Sequence, residues 1–203
     1  MTAQTSELSA PTSTSTDGSG FHTLRVADVE RLCEDAVAVT LDVPDALRER
    51  YAFRPGQYLT LRRYTAEGTE ERRSYSICAP VGAAPRVGVR RVDTGLFSEW
   101  LVDRVKPGDE IEVGPPSGSF SPELEPGTHH GLIAAGSGIT PVLSIASSLL
   151  AAHPDVRVTL LYGNRRTDTV MFTEELSRFG PTACTELRRC AVCREPFEHM
   201  KEI

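Results

Sequence analysis

The sequence has 203 residues, of which 22 are basic and 28 acidic, so its formal net charge is −6. This acidic balance argues against broad nucleic-acid binding, because such binding needs a basic face that displaces the counterions of the phosphate backbone. No apolar run reaches the roughly 20 residues of a membrane-spanning helix, and the N-terminus lacks the basic-then-apolar pattern of an export signal. We therefore expect a globular, cytoplasmic protein.

The first half of the chain is typical of a small β domain. Residues 1–20 are rich in Ser, Thr and Gly with almost nothing to bury, so we expect them to be disordered. From Phe21 onwards, short Val-rich or alternating runs separated by Pro and Gly predict an antiparallel barrel or sandwich. The predicted strands are 24–30, 36–43, 57–63, 72–78, 86–92 and 110–113. Apolar residues at helical spacing in 96–105 predict one helix.

Beyond residue 125 the pattern becomes that of an α/β domain. Alternating strand and helix patterns predict parallel βαβ units, with strands at 132–135, 156–162 and 187–192 and helices at 139–152 and 169–179. We expect a barrel domain over 21–125 and a partial parallel α/β domain over 126–203. Three strands are fewer than the five or six of a usual doubly wound sheet. Either a partner covers the open edge of this sheet, or the second domain is truncated, which is the interpretation we adopt.

The segment Ala134-Ala-Gly-Ser-Gly-Ile-Thr-Pro141 carries the clearest chemical signal. A strand runs into two glycines and then into a helix. The backbone can therefore approach a phosphate, and the helix N-terminus offers free N–H groups and partial positive charge. The third glycine of a Rossmann fingerprint and the Gly-Lys of a P-loop are both missing. The pattern favours a pyrophosphate site, with a plain tight turn as the alternative.

Two arginines, Arg165 and Arg166, follow the next predicted strand. In dinucleotide-binding folds an acidic residue at this place holds the ribose 2′-hydroxyl, whereas arginine accommodates a 2′-phosphate. The pair therefore favours NADPH over NADH. The alternative is a solvated loop that merely carries two charges.

Two further motifs, Arg72-Arg-Ser-Tyr-Ser-Ile-Cys78 and Gly95-Leu-Phe-Ser98, precede the glycine segment. Each is a weak signal alone. Their order before Gly-Ser-Gly-Ile-Thr-Pro resembles the ferredoxin–NADP⁺ reductase superfamily, in which an FAD-binding β-barrel precedes an NADPH-binding α/β domain. Within it, Phe53–Leu61 and Tyr162–Arg165 are most similar to the reductase subunits of phenylacetyl-CoA epoxidases. The resemblance covers roughly residues 21–178.

The resemblance implies a role for each residue of these motifs. Arg73 would pair with the FAD pyrophosphate, Tyr75 would stack on the flavin ring, and Ser76 would hydrogen-bond near flavin N5. Further implied FAD contacts are Val89, Arg90, Val92, Gly95, Leu96 and Ser98. The implied NADPH contacts are Gly136, Ser137 and Gly138 at the pyrophosphate, Thr140 beside the nicotinamide, Asn164, and Arg165 and Arg166, with Arg194 as an outside candidate, at the 2′-phosphate. Tyr75, Ser76 and Thr140 would lie where the two cofactors react.

For such proteins the resemblance implies electron transfer from NADPH to FAD, with the protein aligning the cofactors. In the phenylacetyl-CoA epoxidase family the electrons continue through a C-terminal [2Fe–2S] domain to a di-iron oxygenase of phenylacetate catabolism. We therefore expect oxygenase subunits of a multicomponent monooxygenase as partners, and neither nucleic acid nor membrane. The alternatives are the reductase of another aromatic-ring or steroid oxygenase, and an FAD-binding fragment without turnover.

The end of the sequence departs from the family. The iron–sulfur domain and the family's Cys-Gly-Pro segment near the nicotinamide are missing from the sequence. Cys184, Cys190 and Cys193 are one residue too widely spaced for a plant-type cluster and lack a fourth Cys. Together with His199 they form only a weak zinc pattern. We therefore expect no metal site, and we expect the five cysteines to be reduced thiols.

Overall fold

The computed structural model describes residues 20–123, 127–153 and 155–179, together with the backbone of 185–189 and 196–200. Several expectations lie outside the described residues: the disordered N-terminal tail, the domain boundary at residue 125, and the roles of Cys184, Cys190, Cys193 and Arg194. For His199 only the backbone is described. No helix in the described part of the chain is both long enough and apolar enough to cross a membrane.

The first half of the chain is an antiparallel sheet of six strands with one helix. The strands are β1 (His22–Cys33), β2 (Ala36–Asp42), β3 (Tyr58–Tyr64), β4 (Glu70–Ser76), β5 (Arg86–Arg90) and β6 (Glu110–Val113), and the helix is α1 (Leu96–Asp103). The order across the sheet is β4-β3-β6-β1-β2-β5, and all neighbours are antiparallel. This confirms the predicted β domain. Strand β6 has the predicted ends, whereas the other strands and α1 differ from the prediction at one end or both.

Alternation along the strands places one face of the sheet in the barrel core. On β5, for example, Val87 and Val89 are fully buried among the core side chains, whereas Arg86 and Arg90 point to the other face and are only half-buried. An isolated bridge between Ile77 and Val87 joins the chain after β4 to β5 and so closes the sheet.

The second half is a mixed sheet with two helices. Its strands are β7 (His129–Ala135), β8 (Arg157–Gly163), β9 (Thr185–Arg189) and β10 (Pro196–Met200), and its helices are α2 (Ile139–Ala152) and α3 (Thr173–Ser177). The order is β7-β8-β10-β9. Strands β7 and β8 are parallel and are connected by α2, as the strand–helix–strand pattern predicts. The bounds of α2 match the prediction.

The predicted α/β half differs from the structure in two details. The strand predicted at 187–192 is β9, but β10, which the pattern did not predict, lies antiparallel between β9 and β8. Because β10 is antiparallel to both, β9 runs in the same direction as β8, as the strand–helix–strand pattern predicts. The helix predicted at 169–179 shrinks to α3, preceded by a 3₁₀ turn at Thr167–Thr169. The cause is Phe172, which buries its ring and takes a left-handed φ of 62° that a helix does not accommodate.

The two halves share a continuous apolar core. One cluster joins the small barrel residues Ala36, Ala38 and Cys78 to Ile139 of α2 and to the ring of Phe172. All five side chains are almost completely buried. The α/β half is therefore packed directly onto the outer face of the barrel beside β5.

Two serines of α2 fasten the helix to the loop after β4. Ser144 Oγ donates to the carbonyl oxygen of Ala79 at 2.6 Å, and Ser148 Oγ accepts from the N–H of Val81 at 3.0 Å. Ser144 is completely buried and Ser148 nearly so. These bonds satisfy backbone groups that the docking of α2 removes from water.

We expect Ser144→Ala to lower the free energy of unfolding by about 1–3 kcal/mol, because the carbonyl of Ala79 would lose this donor in a buried place. The measurement is urea unfolding followed by circular dichroism. Ser147→Ala is the matched control, since its hydroxyl donates to Leu143 O within the same helix, and we expect a change below about 0.5 kcal/mol. Equal losses in the two variants would contradict the assigned role of Ser144.

Candidate functional site

A cleft of about 410 Å³ lies where the two halves meet. The end of β4, strand β5 and the residues after β5 form its barrel side, and the glycine segment with the first turn of α2 forms the opposite side. The lining residues are Ser74, Tyr75, Ser76, Gly88, Arg90, Arg91, Val92, Ser137, Gly138, Thr140 and Pro141. Motifs that are far apart in the sequence thus share one cavity.

The predicted site residues fall into two groups. Tyr75, Ser76, Arg90, Val92, Ser137, Gly138 and Thr140 line the cleft. Arg73, Val89, Gly95, Leu96, Ser98, Gly136, Asn164, Arg165 and Arg166 are not among its lining residues. Of these, Val89 turns its side chain into the barrel core, so only its backbone is available to a ligand. The lining residues that were not predicted are Ser74, Gly88, Arg91 and Pro141. The period of two along β5 places Gly88 on the same face as Arg90, and Ser74 and Pro141 lie within the quoted motifs.

Gly88 is a point of close approach between the halves. A Cβ atom there would lie 2.5 Å from Thr140 Cγ2 and 2.8 Å from Phe172 Cζ, closer than nonbonded atoms tolerate. Only a glycine lets the start of α2 lie this near to β5. Thr140 of α2 is thereby brought against β5. Its hydroxyl donates to Ser137 O at 2.9 Å.

Tyr75 presents a rigid aromatic ring on the barrel side. The centre of its ring lies 6.2 Å from the centre of the Phe97 ring. The Phe97 ring in turn packs edge to face on Trp100, with 5.5 Å between the ring centres. Burial raises the pKa of Tyr75 to about 12, so the phenol is neutral at physiological pH. The cleft therefore has an uncharged flat surface on which a planar ligand can pack.

The turn after β5 is held by the side chain of Ser98. Its hydroxyl donates to Gly95 O at 2.8 Å and accepts from the N–H of Val92 at 3.0 Å. A Cβ atom at Gly95 would meet that hydroxyl at 2.7 Å, and Thr94 takes a left-handed φ of 62°. Ser98 thus shapes the turn, and no side chain caps the start of α1, where the first N–H groups have no intrahelical acceptor.

The glycine segment forms a 3₁₀ turn, Gly136–Gly138, that runs into α2. Gly136 has a left-handed φ of 52°, and its carbonyl accepts from the hydroxyl of Tyr162 at 3.0 Å. A Cβ atom at Gly138 would meet nothing within 4 Å, so the space in front of it is open. An open helix start without a capping side chain suits an anionic group.

The loop after β8 carries the two predicted arginines on its surface. Arg166 is paired with Asp168, its Nε donating to Asp168 Oδ1 at 2.9 Å; this hydrogen bond raises the pKa of Arg166 and lowers that of Asp168. Arg165 is exposed. Asn164 is buried and donates to Arg166 O at 2.5 Å and to Thr169 Oγ1 at 2.9 Å, so its side chain shapes the loop.

These features fit a ligand with a planar ring system and pyrophosphate groups. The aromatic face of Tyr75 and the two uncapped helix starts are of the kinds that FAD and NADPH require. In the described part of the chain, no group of three or more His, Cys, Asp and Glu side chains converges as a metal ion would need.

Comparison with known proteins confirms the resemblance drawn from the sequence. Residues 23–121 match the family profile described as the oxidoreductase FAD-binding domain. Residues 171–201 match a second profile, the PaaD zinc beta ribbon domain.

Three similar proteins illustrate the match. The chain is 42% identical over 160 residues to one of the subunits of the 1,2-phenylacetyl-CoA epoxidase of Escherichia coli K12, covering 77% of this chain and 45% of that one. It is 40% identical over 174 residues to the ferredoxin reductase component of the Rhodococcus rhodochrous 3-ketosteroid-9-alpha-monooxygenase, covering 84% and 48%. The FAD/NAD-binding domain of the Vibrio cholerae nitric oxide dioxygenase superposes with a TM-score of 0.64 at 28% identity, covering 76% and 67%. The chain spans about half the length of the two curated relatives.

We expect the free energy of unfolding of Tyr75→Phe to fall less than that of the unmodified protein when the pH rises from about 8 to about 11. The pKa of Tyr75 is raised from 10 to about 12. Between these values the unfolded chain releases a proton that the folded chain keeps, so the free energy of unfolding falls as the pH rises. The measurement is urea unfolding at about pH 8 and about pH 11.

The comparison variant for this experiment is Tyr51→Phe. The pKa of Tyr51 is also raised to about 12, but its hydroxyl donates to Val113 O and contacts His22. We therefore expect Tyr51→Phe to be less stable than the unmodified protein at both pH values. We expect Tyr75→Phe to be nearly as stable as the unmodified protein near neutral pH. The assignment of Tyr75 is wrong if its variant and the unmodified protein lose equal stability between the two pH values.

Proposed function

Because this chain belongs to the ferredoxin–NADP⁺ reductase-like family of FAD-binding oxidoreductases, we propose that it forms the NADPH–FAD module of a phenylacetyl-CoA epoxidase reductase. The observation that carries the proposal is the cleft in which Tyr75 and Ser76 of the barrel face Ser137, Gly138 and Thr140 of the α/β half. Bound FAD would supply the chemistry, accepting an electron pair from NADPH and passing single electrons on.

On the barrel side, the chain binds and orients FAD. Tyr75 packs the flavin ring against a surface supported by Phe97, and Ser76 offers a hydroxyl at the end of β4. Arg73, on the same strand, and the uncapped start of α1 at Gly95, Leu96 and Ser98 hold the pyrophosphate. Val89, Arg90 and Val92 contact the flavin and its ribityl chain from β5.

On the α/β side, the chain binds NADPH and points it at the flavin. Gly136, Ser137 and Gly138 hold the pyrophosphate at the start of α2, and Thr140 lies beside the nicotinamide. Arg165 and Arg166 hold the 2′-phosphate, and Asn164 fixes the loop that carries them. The close approach at Gly88 supports this arrangement, because it brings the start of α2 against β5.

We propose a multicomponent oxygenase as the physiological partner and the cytoplasm as the location. The similarity to the phenylacetyl-CoA epoxidase subunit supports the partner, and the free thiols of Cys33 and Cys78 fit a reducing compartment. The 3-ketosteroid monooxygenase reductase is similar at nearly the same identity. Electron transfer from this module to each type of oxygenase would decide between the two partners. Transfer to an epoxidase oxygenase but not to a steroid oxygenase would support the first.

The experiment that tests the proposal is an anaerobic visible absorption spectrum of the purified chain before and after NADPH. We expect a flavin band that bleaches, because both sides of the cleft are present. A flavin band that NADPH leaves unchanged would mean an FAD-binding barrel without a working nucleotide side. No flavin band after incubation with FAD would refute the barrel assignment.

We expect Arg73→Ala to weaken FAD binding by about tenfold or more, because a guanidinium–phosphate contact is charge-assisted. The measurement is a fluorescence titration of the apoprotein with FAD. Arg48→Ala is the control, since Arg48 is exposed and pairs only with Asp45 among the ion pairs of the described residues. A dissociation constant unchanged by Arg73→Ala would remove Arg73 from the site.

A second candidate function concerns the tail. The match of residues 171–201 to a zinc ribbon profile and the spacing Cys190-x2-Cys193 favour a zinc site. Cys184 and His199 would bring the ligand number to the four that a structural zinc ion requires. The sequence pattern alone favoured no metal, so the zinc site is the alternative to that expectation.

Elemental analysis of the purified chain tests the zinc site. We expect about one zinc per chain and its loss in a Cys190→Ser, Cys193→Ser double variant. Cys33→Ser is the control, because Cys33 lies in the barrel. Absence of zinc after refolding with the metal would exclude the site, whereas a colourless zinc protein without flavin would favour it over the first function.

A further inference from the structure

Arg90 reaches from the barrel into the α/β half. Its Nη1 donates to Asn164 Oδ1 at 3.3 Å, and its Nη2 donates to the carbonyl oxygen of Thr169. On the barrel side its Nε lies 3.4 Å from Asp35 Oδ2. The planar guanidinium thus has one barrel carboxylate on one edge and two acceptors of the loop after β8 on another.

Both sides of this contact are themselves fixed. Asp35 accepts from the Sγ–H of Cys33 at 3.1 Å, and its carbonyl accepts from the N–H of Arg91 at 2.7 Å. On the other side, the Asn164 side chain donates to Arg166 O and to Thr169 Oγ1. An ion pair with Asp35 on the barrel side and hydrogen bonds through Asn164 on the other side therefore link the barrel, through Arg90, to the backbone of Arg166.

A second arginine of β5 offers a comparison. Arg86 lies on the same face of the strand and also bridges the halves, pairing with Glu30 of the barrel and with Glu175 of α3 at 2.9 Å. Its guanidinium lies 5.4 Å from the centre of the Phe172 ring. Arg86 therefore ties the barrel to α3, whereas Arg90 ties it to the loop that carries Arg165 and Arg166.

We propose that Arg90 is a positioning residue for nucleotide choice. By clamping the loop 164–169 to the barrel, it holds Arg165 and Arg166 where the 2′-phosphate of NADPH is bound, so that the preference for NADPH over NADH depends on a barrel residue. This inference rests on the proposed function. Arg90 acts on the 2′-phosphate through Asn164 and Thr169, not by touching it.

The test uses the adenosine halves of the two nucleotides, 2′,5′-ADP and 5′-AMP, which differ by the 2′-phosphate. Their affinities for the FAD-loaded full chain are measured by isothermal titration calorimetry in the unmodified protein, in Arg90→Met and in the matched control Arg86→Met. We expect the preference for 2′,5′-ADP to fall about tenfold in Arg90→Met and to stay within about twofold in Arg86→Met. FAD content and thermal unfolding are recorded for each variant.

Two further variants test the route through the loop. Asn164→Ala should lower the preference in the same direction, and the Arg90→Met, Asn164→Ala double variant should lower it no further than either single change, because both remove one clamp. Arg90→Lys keeps the charge beside Asp35 but has no planar fork to span Asn164 and Thr169. We expect it to restore only part of the preference.

The outcomes separate the inference from the proposed function. Four results would overturn the role of Arg90. The preference for 2′,5′-ADP could be unchanged in Arg90→Met, or fall equally in Arg86→Met. It could also be fully kept in Arg90→Lys, or be absent from the unmodified protein. A flavin that NADPH bleaches, together with any of these results, leaves the proposed function standing. A flavin that never bleaches, together with a preference that depends on Arg90, refutes the function and supports the clamp.

Discussion

The missing side chain at Gly88 is the constraint on which the arrangement of the two halves depends. A methyl group there would overlap both Thr140 and the ring of Phe172, so the start of α2 would have to move away from β5. The cleft exists because these two elements touch. The buried cluster around Phe172 and Ile139 and the serine contacts of α2 then make this approach the stable arrangement.

Strand β5 serves three purposes because of its simple alternation. Val87 and Val89 point inwards and fill the barrel core, while the outward face carries Arg86, Gly88 and Arg90. The two arginines hold different parts of the α/β half, and the glycine between them admits Thr140. Barrel stability, domain docking and the floor of the cleft are thus set by five consecutive residues, so a one-residue slip of this strand would exchange its core face with its docking face.

Much of the fold was predictable because it depends on local patterns. Alternation identified the barrel strands, and the apolar spacing of 139–152 gave α2 its correct ends. The helix predicted over 169–179 failed because burial of Phe172 in the shared core overrides helical periodicity. The cleft residues on β4 and at the glycine turn were found from motifs, but the contact of Arg90 with Asn164 was not. It joins residues 74 positions apart, and no local pattern reports such a pair.

The order of elements along the chain has a consequence for how the protein is made. All six barrel strands are complete by Val113, before β7 begins at His129, and domains fold N-terminal first during synthesis. The outer faces of Ala36, Ala38 and Cys78 are covered by the later α2 and Phe172. A nascent barrel on the ribosome therefore exposes this apolar patch until α2 and Phe172 have been synthesised, and the cleft is assembled from its barrel side towards its α/β side.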